Sequence, residues 1–414
     1  MKGRNIVFVN PRVELGTDFF DNPAFCMTGM LYAASYVRSS GFDTEMIDSF
    51  VSAKPEEVIK ATKSHTIIGE KPESLVKKIE MKKPDMVIMN YSDFHREIRL
   101  MPGSLRYLLR RLKKPGRKLI LSNFHMTECM KFFNFREEDI KRFAPEIDQV
   151  MNGYFQEEFP KILEESIVQG NEEKRYGFLD YNMFDMKRYH QFFIEMIRRG
   201  LIKENNSVDN LFPMFTSRGC NHRCFFCNSS KGRWIPFSLE DIESNIKSAK
   251  DMGTSKIIFL DLLANLEKKR FMHILNMINM NGLKAHFTNG LRIDQLNEDI
   301  IRGLSKCTDI LSVSIESGVQ DVLDNIIKKD MDLNKVEENA RLISKYNINC
   351  YAHYMIRSPG EDEEDVKKTN KYAEKLHKLY GIRPRIQPYV PINKEESFDK
   401  RGINTIRKKF LLNR

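Results

Sequence analysis

Apolar and polar residues follow one another along the first 169 residues in a pattern that predicts strands, each followed by a helix. Residues 5–9 form a short apolar run typical of a buried strand, and Met30, Leu31, Ala34 and Val37 recur at helical spacing. The same pattern predicts strands at 44–47, 85–90, 118–122 and 149–151, and helices at 29–39, 72–81, 104–113 and 157–168. Because the two element types alternate, we expect a parallel, doubly wound Rossmann-like sheet that binds ligands at the carboxyl ends of its strands.

The alternation stops at residues 170–206, which are polar and charged, and returns at residue 211. Strands are predicted at 211–216, 256–260, 284–288, 309–315, 350–356 and 383–388, with helices at 238–251, 267–280, 297–305, 333–346 and 362–379. Six strands form an open partial (β/α)6 barrel, with catalytic groups on the loops after the strands. The predicted organisation is a Rossmann-like domain (1–169), a linker (170–206), a partial barrel (207–390) and a tail (391–414).

Composition restricts the class of protein. The chain has 414 residues, 41% of them hydrophobic, which is enough for about two domains. No apolar run resembles a signal peptide or a membrane span, and seven cysteines in so long a chain suit a reducing compartment, so we expect a cytoplasmic protein that binds no membrane. The net charge is +10, and the basic run at 106–114 reads as a solvated helix face rather than a nucleic-acid surface.

Three cysteines lie together directly after the first strand of the second half. The segment reads Arg-Gly-Cys-Asn-His-Arg-Cys-Phe-Phe-Cys over residues 218–227. A cubane iron–sulfur cluster normally takes four thiolates, so a loop with three leaves one iron free for a ligand. Two alternatives remain: a structural zinc site that adds His222, and three unligated core cysteines. We interpret His222 as an exposed loop residue.

The spacing of these cysteines, with Phe226 before the last one, resembles the signature of the radical S-adenosylmethionine (SAM) superfamily. The resemblance implies a [4Fe–4S] cluster on Cys220, Cys224 and Cys227, with SAM on the open iron and Phe226 beside the cofactor. It also implies cleavage of SAM to a 5′-deoxyadenosyl radical, with an electron from a partner such as flavodoxin or ferredoxin. The protein would position the cofactor and exclude water.

Two further motifs resemble the superfamily members that carry a cobalamin-type front domain. Phe-Leu-Asp-Leu-Leu over 259–263 has one aspartate, Asp261, where those relatives usually have two. The resemblance implies that Asp261 contacts the SAM ammonium; the alternative is a strand-end residue that caps the next helix. Asn289-Gly290-Leu291-Arg292 matches their Asn-Gly-Leu-Arg, which implies cofactor contacts by Asn289 and by Arg292, the latter with the methionine carboxylate.

The last two barrel motifs extend this resemblance. Ile-Glu-Ser-Gly over 315–318 implies that Glu316 and Ser317 lie near the ribose or amine of SAM, and a carboxylate that ends a buried strand needs a partner in any case. Residues 355–361 resemble Met-Ile-Gly-Leu-Pro-Gly-Glu, but Arg357 and Ser358 replace Gly and Leu. We predict that Arg357 reaches the substrate.

The front domain resembles cobalamin-binding domains fused to radical enzymes, and Asn10 and His125 are its predicted cofactor contacts. The Asp-x-His-x-x-Gly motif that supplies a histidine to cobalt is absent, so cobalamin would bind base-off. Relatives often carry Gly-Gly-x-His where this chain has Ser-Asn-Phe-His over 122–125. Without these glycines the backbone leaves less room for a corrin ring or its nucleotide tail. Loss of cobalamin therefore stays open, and a histidine in the position of His125 is more often a satisfied strand-end residue than a cofactor contact.

These observations support three functions. The first is a cobalamin-dependent methyl transfer to an unactivated carbon. The second is a cobalamin-independent radical SAM dehydratase, epimerase or oxidoreductase that acts on a small metabolite. The third is a non-catalytic metal-binding scaffold. For the enzymes we expect a small molecule or a peptide as substrate, with the substrate or a partner protein covering the active site.

The cysteine assignment predicts the effects of single substitutions. Replacement of Cys220, Cys224 or Cys227 with Ala should abolish SAM cleavage, because each removes one of three thiolate ligands. The matched controls are the chain's four other cysteines, whose replacement should leave cleavage intact: Cys26, Cys129, Cys307 and Cys350. Formation of 5′-deoxyadenosine by the reduced protein is the measurement. An equal loss from Cys307→Ala would mean that the ligands are misassigned.

Overall fold

The computed structural model describes most of the chain, which divides into two compact units. The described residues are 4–16, 28–52, 59–60, 65–91, 103–124, 137–151, 153–162, 176–183, 185–198, 211–227 and 233–389. The first unit comprises Met1–Arg218 and Ile235–Leu262, and the second comprises Gly219–Trp234 and Leu263–Arg414.

The first unit contains twelve of the described strands and eight of the described helices. The strands are β1 (Asn5–Asn10), β2 (Val13–Gly16), β3 (Asp43–Asp48), β4 (Ile59–Lys60), β5 (His65–Ile68), β6 (Met86–Asn90), β7 (Lys118–Ser122), β8 (Gln149–Met151), β9 (Leu211–Met214), β10 (Ser217–Arg218), β11 (Ile235–Pro236) and β12 (Lys256–Phe259). The helices are α1 (Thr28–Ser39), α2 (Ser49–Ser52), α3 (Pro72–Met81), α4 (Gly103–Leu112), α5 (Glu137–Phe143), α6 (Phe155–Ile162), α7 (Met186–Arg198) and α8 (Leu239–Asp251).

A five-stranded parallel sheet forms the core of this unit, in the order β3-β1-β6-β7-β8. One face packs on α3, α4 and α5, and the other face packs on α1 and α6. The predicted doubly wound sheet is therefore confirmed. Strand order reverses between β1 and β6, which is the switch point where sheets of this type bind ligands.

The sequence interpretation missed two parts of this unit. Strands β2, β5 and β4 form a small antiparallel sheet, and α7 lies inside the predicted linker 170–206. The linker boundaries stay a prediction, but residues 186–198 within them are helical, which the sequence interpretation did not anticipate. Met186, Tyr189 and Phe192 do recur at helical spacing, but a single short apolar stripe among charged residues was not recognised as a helix. Two further strand pairs, β9 with β12 in parallel and β10 with β11 antiparallel, complete the unit.

The second unit again alternates helices and strands. Its elements are α9 (Lys268–Met280), β13 (Lys284–Phe287), α10 (Glu298–Cys307), β14 (Leu311–Glu316), a π-helix (Val322–Ile327), α11 (Leu333–Lys345), β15 (Cys350–Ile356), α12 (Glu363–Tyr380) and β16 (Arg383–Pro388). Strands β14, β15 and β16 pair in parallel, in chain order. Local sequence fixes the helix ends: Asp362 and Asp365 form a capping box on α12, and Gly381 ends it at φ 71°. None of the helices described in either unit is long and apolar enough to cross a membrane.

A buried polar network lies at the switch point of the front sheet. Asn10 Nδ2 donates to Asp48 Oδ1 over 2.9 Å, and Asn90 Nδ2 donates to Asn10 Oδ1 over 2.9 Å. The Tyr189 hydroxyl on α7 donates to Asp48 Oδ2 over 2.6 Å. Asn90 Oδ1 also accepts from the backbone N–H of Phe124 over 2.9 Å. These bonds satisfy polar groups whose burial would otherwise be unfavourable, so they fix the strand ends.

We expect Tyr189→Phe to lower the free energy of unfolding by about 1.5–3 kcal/mol, because a buried carboxylate loses a hydrogen bond. Denaturation in urea measures the change. The matched control is Tyr107→Phe on α4, since the Tyr107 hydroxyl makes no hydrogen bond to any described residue. Equal effects of the two changes would mean that the bond to Asp48 contributes nothing.

Candidate functional site

The three clustered cysteines lie on one loop of the second unit, residues 219–227. Gly219 begins the loop at φ 73°, a conformation that favours glycine. Cys224 is buried and Cys220 and Cys227 are half-buried, and a backbone bond of 3.1 Å from Cys227 N to Cys224 O closes the turn between them. The loop therefore carries all three thiols, and their role as cluster ligands stays a prediction.

Burial and a nearby positive charge act on these thiols in opposite directions. Burial raises the pKa of Cys220 and raises that of Cys224 to about 11, whereas the ammonium of Lys329 acts on both thiols in the opposite direction. Among the described residues, no three His, Cys, Asp or Glu side chains lie close enough to one another to hold one metal ion. In an iron–sulfur cluster each thiolate binds a different iron, so three thiolates on one loop are a suitable donor set for such a cluster.

His222 is half-buried, which corrects its interpretation as an exposed loop residue. Both ring nitrogens lie 3.1 Å from Arg292 Nη1. Burial, followed by the charges of Arg292 and Lys329, lowers the pKa of His222 to about 4. The imidazole is therefore neutral at pH 7 and can accept from the guanidinium.

Arg292 is buried, and its guanidinium is fully engaged within the second unit. Nε and Nη2 donate to the two carboxylate oxygens of Asp294 over 3.0 and 2.7 Å. Nη1 donates to the carbonyl of Lys329 over 2.7 Å, and Nη2 also donates to the carbonyl of Asp330. A contact with the SAM carboxylate stays a prediction, and it would require Arg292 to give up one of these bonds.

Asp261 holds the chain just before the cysteine loop. Its carboxylate accepts from the N–H of Thr216 over 2.9 Å and from the hydroxyls of Thr216 and Ser217 over 2.7 and 2.8 Å. Burial raises its pKa, and these hydrogen bonds oppose the shift. Neither the predicted contact with the SAM ammonium nor a helix cap accounts for these bonds; the task that Asp261 visibly performs is to position residues 216–217.

The Asn-Gly-Leu-Arg segment runs along the edge of β14. Leu291 N donates to Ser312 O over 2.8 Å, and Gly290 has φ 77°. A Cβ atom on Gly290 would lie 2.8 Å from Ser314 Oγ, so only glycine fits this close approach. Asn289 is exposed at this edge, and its predicted cofactor contact stays a prediction.

Glu316 and Ser317 face different surroundings, although they are neighbours. Glu316 Oε1 accepts from Lys329 Nζ over 2.8 Å, and this lysine is the partner that the buried carboxylate requires. Sequence analysis missed Lys329, because no motif links residues thirteen positions apart. Ser317 is fully buried and contacts Thr369 Oγ1 on α12 over 3.0 Å. The structure therefore separates these two predicted cofactor contacts.

Arg357 follows β15 in the left-handed conformation, at φ 61°. Its side chain is half-exposed, and it lies 3.7 Å from the carboxylate of Glu363. Ser358 is buried, and its N–H donates to Glu361 Oε2 over 2.9 Å. Arg357 therefore lies half-exposed on an anchored turn, and its contact with substrate stays a prediction.

Aromatic side chains flank the last predicted ligand. Phe226 is half-buried and meets Phe225 edge-on, with ring centroids 5.8 Å apart. Phe225 also contacts Tyr389, and its N–H donates to Ile327 O over 3.1 Å. That bond ties the cysteine loop to the π-helix. In the first unit, Asn10 belongs to the switch-point network, and His125 lies outside the described residues.

Residues 214–373 match the family model of the Radical SAM superfamily. The chain carries a radical SAM domain. This assignment confirms the resemblance drawn from the cysteine loop, and it makes the protein an enzyme that uses a [4Fe–4S] cluster and SAM. The interpretation as a non-catalytic scaffold is therefore wrong.

The comparisons with known proteins extend the likeness beyond the radical SAM domain. An uncharacterized methyltransferase of Pyrococcus horikoshii is 29% identical over 182 residues, which are 42% of this chain and 39% of that protein. The structure of the methyltransferase TsrM from Kitasatospora setae, with cobalamin and a [4Fe–4S] cluster bound, has a TM-score of 0.62 at 13% identity and covers 93% of this chain and 75% of that one.

A second solved structure is also similar to nearly the whole chain. The cobalamin-dependent radical enzyme OxsB, with aqua-cobalamin bound, has a TM-score of 0.60 at 14% identity and covers 99% of this chain and 56% of that one. These likenesses show the fold: a mixed α/β chain with a radical SAM domain. The chain spans about a third to a half of the length of the curated relatives it matches.

The Arg292 network makes a prediction for stability. Asp294→Asn should lower the free energy of unfolding by about 3–5 kcal/mol, because it leaves a buried guanidinium without its carboxylate. Both side chains of the pair are about 5% exposed. The matched control is Asp299→Asn, which breaks an exposed pair with Arg302 and should cost about 1 kcal/mol or less. Urea denaturation distinguishes them, and equal costs would contradict the assigned role of Arg292.

Proposed function

We propose that this protein is a cobalamin-dependent radical SAM methyltransferase that acts on an unactivated carbon. The observation that carries the proposal is the likeness of nearly the whole chain, and not only of its radical SAM domain, to TsrM and OxsB. A methyltransferase is also among the curated relatives. The substrate is a small molecule or a peptide, and a low-potential electron donor of the flavodoxin or ferredoxin type supplies the electron.

In this proposal Cys220, Cys224 and Cys227 hold the [4Fe–4S] cluster, and SAM binds its open iron. When bound and reduced, the cluster would supply one electron to SAM, whose C5′–S bond would break to give methionine and the 5′-deoxyadenosyl radical. The protein's own residues hold the loop: Asp261 fixes the chain before it, and the Phe225 N–H anchors it to Ile327. Phe225 and Phe226 provide apolar surface beside the last thiol, which helps to exclude water.

Cobalamin is proposed to lie at the switch point of the front sheet. The order β3-β1-β6-β7-β8 leaves a crevice between the carboxyl ends of β1 and β6, and Asn10, Asp48 and Asn90 form a buried polar floor there. A polar floor fits a corrin, whose periphery carries amide groups. Since the floor residues already bond to one another, we propose that the contacts come from the segments that follow the strands. Cobalamin would supply the methyl group to the substrate carbon.

Production of the protein with ample cobalamin tests this proposal. We expect cobalamin to co-purify and to give the absorbance of a base-off corrin, because the chain lacks the cobalt-binding histidine motif. Anaerobic reconstitution should give about four irons per chain. Labelled methyl-SAM should then yield 5′-deoxyadenosine and a methylated product.

One observation favours the cobalamin-independent alternative. Ser122 and Asn123 stand where relatives often carry two glycines, and both are buried. Side chains at these two positions reduce the room at the end of β7. If the protein holds the cluster and cleaves SAM but purifies without cobalamin, the methyltransferase proposal fails. A radical dehydratase, epimerase or oxidoreductase then takes its place.

A further inference from the structure

The second unit contains a buried ion pair that the proposed reaction does not yet use. Lys329 Nζ lies 2.8 Å from Glu316 Oε1, and the two side chains are only 7% and 13% exposed. A pair of similar length on the surface, Lys345 with Glu298, is 62% and 47% exposed. Removal of two charges from water is unfavourable, so a buried pair is weak evidence for a purely stabilising role. The location of the pair indicates a functional role instead.

The backbone on both sides of this pair is strained. Glu316, Lys328 and Asp330 have φ values of 74°, 59° and 54°, in the left-handed region that residues other than glycine rarely adopt. A bulge interrupts the pairing of β14 just before Glu316, and the π-helix ends at Ile327, just before this segment. Strained backbone and π-helices both occur preferentially at functional sites, where the surrounding structure imposes them.

Hydrogen bonds through Arg292 and Ile327 tie the segment around Lys329 to the cysteine loop. Its carbonyl accepts from Arg292 Nη1 over 2.7 Å, and its N–H donates to Leu323 O over 2.9 Å. One turn away, Ile327 O accepts from the N–H of Phe225, the residue after Cys224. The backbone that carries the ammonium is therefore tied to the loop, and Glu316 holds the ammonium itself.

Residues on both sides of Cys224 contact the segment that carries this ammonium. Arg292 Nη1, which binds the Lys329 carbonyl, also lies 3.1 Å from the ring of His222, and the Phe225 N–H donates to Ile327 O over 3.1 Å. A buried positive charge near thiolate ligands stabilises whichever state of their cluster is more negative.

We propose that Lys329 is a positioning residue that raises the reduction potential of the cluster, with Glu316 as its counter-charge. This inference rests on the proposed function, in which the three cysteines hold the cluster. When a low-potential donor delivers one electron, the cluster becomes more negative by one elementary charge, and nothing else is gained or lost. The ammonium of Lys329 stabilises this reduced state, and Glu316 limits the effect and holds the ammonium in place.

A redox titration of the reconstituted cluster, followed by electron paramagnetic resonance, tests the inference through the signs of the shifts. Lys329→Met should lower the potential, because it removes the positive charge. Glu316→Gln should raise the potential, because it removes the negative charge that opposes Lys329. The double variant removes both and should fall between Lys329→Met and the wild type. Lys329→Arg keeps the charge and should remain near the wild type.

The matched control is Lys345→Met, which removes an exposed lysine of the same unit and should leave the potential unchanged. A structural disturbance would move Lys329→Met and Glu316→Gln in the same direction, and that result would overturn the inference, as would no shift in either. If Lys329→Met fails to hold iron, Glu316→Gln alone must still raise the potential. Failure of the wild type to take up iron would instead refute the proposed function.

Discussion

The buried pair of Arg292 and Asp294 is the interaction on which the arrangement of the second unit depends. A guanidinium has five N–H donors in a rigid plane, and here they bind a carboxylate, two backbone carbonyls and an imidazole. These partners come from three separate stretches of chain: the cysteine loop, the segment after β13 and the segment after the π-helix. Lysine could not replace arginine, because its single ammonium cannot hold partners that lie in different directions.

Local pattern was sufficient to predict most of the fold. Helix α3 and strands β7, β8, β15 and β16 have the predicted bounds, because each is a short periodic or apolar segment between clear turn residues. The small antiparallel sheet of β2, β4 and β5 was missed, since it depends on pairing between distant short segments that carry little signal of their own. Helix α7 was missed because its stripe lies within a charged stretch.

The candidate site was predictable in its residue types but not in their partners. The three cysteines, Arg292 and Glu316 were identified from motifs, yet the motif does not say that Glu316 pairs with Lys329 or that Arg292 pairs with Asp294. Ser317 sits in the same motif as Glu316 but faces α12, because the strand ends between them. Side-chain direction at a strand end depends on a bulge and on one backbone angle, and neither has a reliable sequence signature.

The π-helix at Val322–Ile327 places a constraint on chain length rather than on residue identity. A π-turn differs from an α-turn by one inserted residue, so loss of a single residue there would restore regular winding. The residues that follow would then rotate by about a third of a turn, since an α-helix has 3.6 residues per turn. Lys329 would be withdrawn from Glu316 while every motif residue stayed unchanged. Homologues aligned by motifs alone would therefore look equivalent, although a one-residue gap in this segment would change the proposed effect of this lysine on the reduction potential of the cluster.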